Sequence, residues 1–129
     1  MGLKMFEVAL VDAVFHGEVA TAEIRDWLSH VETLLLRRQD FLFMASTAEG
    51  ATFSKDYRAV QAQWYRQHKA AFHQHCRGLV RIAHSAQEQA RLDTPALHAA
   101  WGVPYAVVTD RAGAYEWLVQ RMECLHDQT

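Results

Sequence analysis

The side chains whose types could do chemistry are eight histidines, two cysteines and one serine at a helix start. His68, His73 and His75 fall in a single stretch that ends at Cys76. Read as a helix, that stretch puts His68 and His75 on one face but roughly 10 Å apart along the axis. That is too far for two ligands of one metal ion without a third element between them. His73 points elsewhere, no HExxH motif occurs, and no Asp or Glu lies one turn from these histidines. Neighbouring residues on a helix diverge by about 100°, so His75 cannot act as the base for Cys76. A partner such as His84 would have to come from another part of the fold. The sequence assigns no catalytic residue, no metal and no cofactor, and reads Cys76 as a small packing residue at a helix end. No GxGxxG, P-loop or GxSxG motif is present.

Two further groups of residues carry functional expectations. The polar, glycine-containing stretch Ser46–Phe53 leads into Ser54, a helix-cap type of residue, followed by Lys55, Tyr57 and Arg58. Loops held by regular elements are where binding residues concentrate. Thr47, Gly50, Thr52, Ser54, Lys55, Tyr57 and Arg58 therefore form the expected interaction surface. The aromatic residues fall mostly at core spacing, but Trp64, Trp101 and Tyr105 are candidates to line an apolar ligand pocket. Trp101 lies in Leu97–Pro104, a segment with a Gly and a Pro that reads as a movable lid.

The elements that must position these residues follow from periodicity and punctuation. Met5–Leu10 and Ala13–Val19 read as two strands of a hairpin turning at Val11-Asp12, with Gly17 marking a bulge or a close backbone approach. Thr21 reads as the N-cap of a helix with Ile24, Trp27, Leu28, Val31, Leu34 and Leu35 on one face, closed by Arg37 and Arg38. Phe41–Ala45, continuously apolar, reads as an interior strand. A helix capped by Ser54 runs to Arg77-Gly78, where glycine suits the position past the last turn. Leu79–Ala83 is the next strand. Ser85 caps a short helix through Leu92, and Thr94-Pro95 opens another that stops at Gly102. Tyr105–Thr109 is the last strand, and Asp110 caps the last helix, with His126–Thr129 as a frayed tail. The order is β-β-α-β-α-β-α-β-α. It predicts a single α/β domain over residues 1–129, with a mixed, mostly parallel five-stranded sheet packed by four to five helices.

Composition bounds the function classes. Half of the 129 residues are hydrophobic and 22% are charged, and the net charge is −2. That balance carries no overall electrostatic footprint for nucleic acid, and leaves room for a local basic patch. No run approaches the ~18 apolar residues of a membrane span. With no secretory signal and no metal-type cysteine spacing, the expectation is a cytoplasmic protein with reduced thiols.

The second half of the chain also resembles a known family. Arg77-Gly78-Leu79-Val80 leads a strand, Ile82-Ala83-His84-Ser85 leaves it, a helix ends in Trp101, and Pro104-Tyr105-Ala106-Val107-Val108 follows. The closing run Thr109-Asp110-Arg111-Ala112-Gly113-Ala114-Tyr115-Glu116-Trp117-Leu118 gives a strand, an acidic turn and a helix with Trp-Leu. Over about residues 5–122 this resembles a STAS-type domain of the bacterial anti-sigma-factor-antagonist kind. The SpoIIAA-like branch, similar to lipid-binding Sec14-type domains, is the nearest in pattern. The resemblance implies regulation by protein contact, through a partner or a homodimer, rather than catalysis. Ser54 stands at the position of the serine phosphorylated in some members, without the acidic residue and glycine that frame it there. The alternative expectation is a carrier or sensor of a lipid or other hydrophobic small molecule. A small enzyme using His84 or Cys76 ranks last.

Overall fold

A computed structural model describes residues 2–127. Strands β1 (Ala9–Phe15), β3 (Phe41–Thr47), β5 (Cys76–Ile82) and β6 (Tyr105–Val108) form one sheet in the order β1-β3-β5-β6, with every neighbouring pair parallel. Two short strands, β2 (Glu18–Val19) and β4 (Thr52–Phe53), pair separately and also in parallel. The helices are α1 (Thr21–Leu36), α2 (Tyr57–His75), α3 (Ala86–Leu92), α4 (Pro95–Trp101) and α5 (Arg111–Asp127).

The expected opening hairpin is absent, and the main sheet has four strands rather than five. Val11 and Asp12, read as a turn, lie inside β1 and pair with Phe43 and Met44. Val11-Asp12 lacks the Asn-Gly or Asp-Gly pair that closes a two-residue hairpin, whereas a parallel strand accommodates it. Val11, Ala13 and Phe15 face the core, and Asp12, on the other face, bonds Arg111 of α5 at 2.6 Å. Gly17 sits between β1 and β2 with φ +61°, so it turns the chain rather than bulging a strand.

Helix starts differ from expectation in two places. Thr21 is already helical, and Glu23 Oε1 accepts from the Ala20 backbone N–H at 3.0 Å instead. Ser54 lies ahead of α2, whose first residue is Tyr57. The Ser85 and Thr94 hydroxyls do cap α3 and α4, accepting from Glu88 N at 3.1 Å and Leu97 N at 3.2 Å. Gly102 ends α4 with φ +66°. Asp110 Oδ1 accepts from Gly113 N at 2.7 Å at the start of α5.

Gly78 does not end α2; the chain passes from His75 straight into β5. Its lack of a side chain serves packing, because a Cβ there would lie 2.9 Å from the Trp117 ring and 3.1 Å from Arg121 Cγ. Helix α5 packs alone on this face, over Leu42, Met44 and Val80, through Ala114 and Leu118. The opposite face carries α1 to α4 over Val11, Phe43, Ala45, Leu79 and Val107. With one helix on the α5 face, Leu10 and Val14 of the edge strand stay exposed. No helix among the described residues is long and apolar enough to cross a membrane. Of the frayed tail read at His126–Thr129, residues 128 and 129 lie outside the described residues, and α5 continues through Asp127.

Candidate functional site

The carboxyl ends of the parallel strands lie on one edge of the sheet. Here those ends open into a cleft of about 550 Å³ between the 47–53 segment, the start of α2, and α3. That volume falls within the few hundred to a thousand Å³ of small-molecule sites. Thr47, Gly50, Tyr57 and Arg58 of the expected interaction surface line it. Thr52, Ser54 and Lys55 do not: Thr52 pairs with Glu18 in the small sheet, Lys55 is exposed, and the Ser54 and Thr21 hydroxyls are joined by a hydrogen bond of 2.6 Å.

The far wall of the cleft was not anticipated. It consists of Arg81 from β5, His84 just beyond it, and Glu88 and Arg91 from α3. Glu88 is buried, and its Oε2 lies 2.7 Å from His84 Nδ1 and 3.6 Å from Arg91 Nη2. The cleft lining thus holds three arginines, 58, 81 and 91, against one carboxylate that is already engaged. Arg58 Nε donates only to its neighbour's Tyr57 hydroxyl, at 3.0 Å. Arg81 is half-buried on an interior strand and has no hydrogen-bond or ion-pair partner among the described residues. A charge inside Leu79-Val80-Arg81-Ile82-Ala83 is the sequence signal that identifies it, since interior parallel strands are normally apolar throughout.

Beneath the cleft lies a smaller apolar cavity of about 70 Å³ between the sheet and the helices. It shares Phe15, Gln61 and Arg81 with the cleft, and Trp27, Trp64 and Trp101 line it. Ala45, paired with Arg81 across β3 and β5, lines it with only a methyl group, which leaves room above β3. Trp27 Nε1 and Trp64 Nε1 are buried and have no hydrogen-bond partner among the described residues. Such donors cost about 1–3 kcal/mol each when left unmade.

Trp64 and Trp101 are therefore where an apolar pocket needs them, and Tyr105 is not. Its hydroxyl donates to the Leu92 carbonyl at 3.0 Å, and its ring packs edge-on against His98. Burial pushes the Tyr105 hydroxyl above its ordinary range, with Arg81 opposing and Asp93 reinforcing the shift. The expected lid at Leu97–Pro104 is tied down. Tyr65 Oη lies 2.7 Å from the Trp101 carbonyl and 2.8 Å from His73 Nε2, which closes α4 onto α2.

The histidine stretch disperses. His68 Nε2 meets Glu32 at 2.9 Å across α1 and α2, and His75 Nδ1 meets Asp40 at 3.0 Å. No group of three metal-type side chains forms among the described residues. Cys76 is buried, its thiol pushed up to about 12 chiefly by that burial. It starts β5, whereas His84 lies past the end of that strand, on the order of 25 Å away at the rise of a strand. The two cannot form a nucleophile pair.

No protein-family model matches the chain, and no curated protein or solved structure is similar enough to count as a match.

Proposed function

We propose that the chain is a non-catalytic binding or sensing module that takes a small hydrophobic molecule in the cleft at the carboxyl ends of β1, β3 and β5. The observation that carries this reading is the tryptophan-lined cavity adjoining the cleft, with two buried indole N–H groups left without acceptors. The dimensions favour a small guest. About 70 Å³ is roughly half of the ~150 Å³ that holds benzene, so the buried part amounts to a few carbons rather than a long acyl chain. The test is titration with pentan-1-ol, followed by tryptophan emission and native mass spectrometry. Saturable binding that Ala45→Leu removes, with the fold retained, supports the reading. A response that never saturates, or that Ala45→Leu leaves unchanged, overturns it.

A second reading is protein contact, as a regulatory module of the STAS-like kind or as a homodimer. Leu10, Val14, Tyr115 and Val119 are exposed on β1 and α5, next to the Asp12–Arg111 ion pair. Scattered exposed apolar residues are ordinary, but grouped ones mark contact surfaces. Sedimentation of the wild type against Val119→Lys tests self-association; a monomer at every concentration for both chains sinks it.

A further inference from the structure

We infer that the cleft selects an anionic amphiphile: a small organic acid or phosphate monoester whose anionic group lies against Arg81 and whose short apolar end enters the tryptophan-lined cavity. The inference rests on the cleft being a ligand site, as proposed above, and adds what the ligand must carry.

Arg81 stands where the two spaces meet. It lines both the cleft and the cavity, and its strand neighbours in the same row are Ala45 and Val107. Neither offers an acceptor side chain, and no carboxylate among the described residues pairs with it. A half-buried guanidinium in that position is stabilised by an acceptor with matching fork geometry, which carboxylates and phosphates supply. Arg58 and Arg91 face the same space from α2 and α3. Arg58 is held only by a phenol, and Arg91 reaches Glu88 no closer than 3.6 Å. Both are placed to take a second oxygen. Glu88, the only acidic residue among the described residues lining the cleft, is engaged by the His84 ring at 2.7 Å, so it competes weakly for Arg81. A neutral ligand leaves Arg81 as it is, and a cationic one adds repulsion from three arginines.

Size constrains the apolar end. The cavity takes a branched or linear group of a few carbons, and the remainder of the ligand, with its charge, occupies the cleft.

The experiment compares four probes of matched tail by calorimetry at low salt: pentanoate, butyl phosphate, pentan-1-ol and pentylammonium. The wild type is expected to bind one or both anions at least tenfold more tightly than the alcohol, and the ammonium more weakly than the alcohol. Which anion is favoured distinguishes a carboxylic acid from a phosphate ester. The anion preference should shrink as salt rises. Arg81→Gln should abolish it, and Arg81→Lys should retain part of it. Equal affinity for alcohol and anions in the wild type overturns this inference and leaves the ligand-site reading intact. Absence of binding by all four probes overturns the ligand-site reading and this inference with it. The wild-type comparison and its salt dependence need no variant, so they decide the matter even if Arg81→Gln fails to fold.

Discussion

Strand β5 carries two arginines four residues apart, and they live in opposite circumstances. Arg77, at its amino end, donates from Nε and Nη2 to Asp40 Oδ2 at 3.1 and 3.0 Å, and Asp40 Oδ1 is bonded by His75. Arg81, at its carboxyl end, has no carboxylate partner among the described residues. The first arrangement is complete in itself and ties the α2–β5 junction to the residue before β3. The second leaves a charge without its complement beside open space. The same side chain type, on the same strand, is structural where its charge is matched and, in the reading proposed above, available to a ligand where it is not. Local partners, Asp40 for His75, Glu32 for His68 and the Tyr65 hydroxyl for His73, also explain why the histidine-rich stretch, chemically suggestive in sequence, ends as fold scaffolding.

That contrast can be broken at both ends. The largest effect is expected from Gly78→Val, between the two arginines, because the new side chain must displace Trp117. Chemical denaturation should show a loss of about 3 kcal/mol or an unfolded chain. An unchanged midpoint would mean that α5 can shift freely. Next, Asp40→Ala strands Arg77 and the His75 ring. With Asp40 about one-third exposed, a loss of about 1–2 kcal/mol is expected in the same assay. Cys76, beside Arg77, adds a pH dependence. Its thiol is held protonated in the folded state up to about 12, whereas the unfolded chain releases the proton near 9. Between those values the folded state binds more protons, so stability falls as pH rises, by up to about 1.4 kcal/mol per unit. Burial of Tyr65 and Tyr105 acts in the same direction at the alkaline end. Denaturation curves from pH 8 to 11 should show that slope, and Cys76→Ala should flatten it. The smallest effect belongs to Arg81→Met. Replacing an unmatched charge by an apolar chain of similar length should leave the melting temperature unchanged or raise it by a few degrees. A clear drop would mean that Arg81 has a structural partner after all.

Local punctuation was legible in the sequence. Ser85, Thr94-Pro95 and Gly102 delimit α3 and α4 where their types require, and the unbroken apolar run at Phe41 marks the interior strand. Long-range choices were not. Asp12 resembles a turn residue until Arg111, ninety-nine positions on, is brought beside it. Gly78 resembles a helix stop until Trp117 is placed over it. At the candidate site, Thr47, Gly50, Tyr57 and Arg58 line the cleft because they flank a glycine-bearing connection. Trp64 and Trp101 line the cavity because aromatic side chains on apolar faces can border gaps. Arg81 was visible as a lone charge in an apolar strand, but its meaning depends on the absence of a partner, which only the assembled sheet displays. Ser54 shows the opposite case. It is the right residue type beside a helix, yet its hydroxyl belongs to Thr21.

The segment from Ser46 to Phe53 has a consequence for how quickly the cleft fills. Its backbone is stitched to the β1–β2 chain: Ala48 N donates to Phe15 O at 2.8 Å, Thr52 N to Gly17 O at 2.8 Å, and Ser54 N to Val19 O at 3.0 Å. Amides held in this way exchange with deuterium only when the stitching opens. The mouth of the cleft is thus a fixed rim, not a swinging gate. Under the proposed binding role, a guest would have little chain to immobilise on arrival, and its residence time would be set by how firmly it is gripped inside.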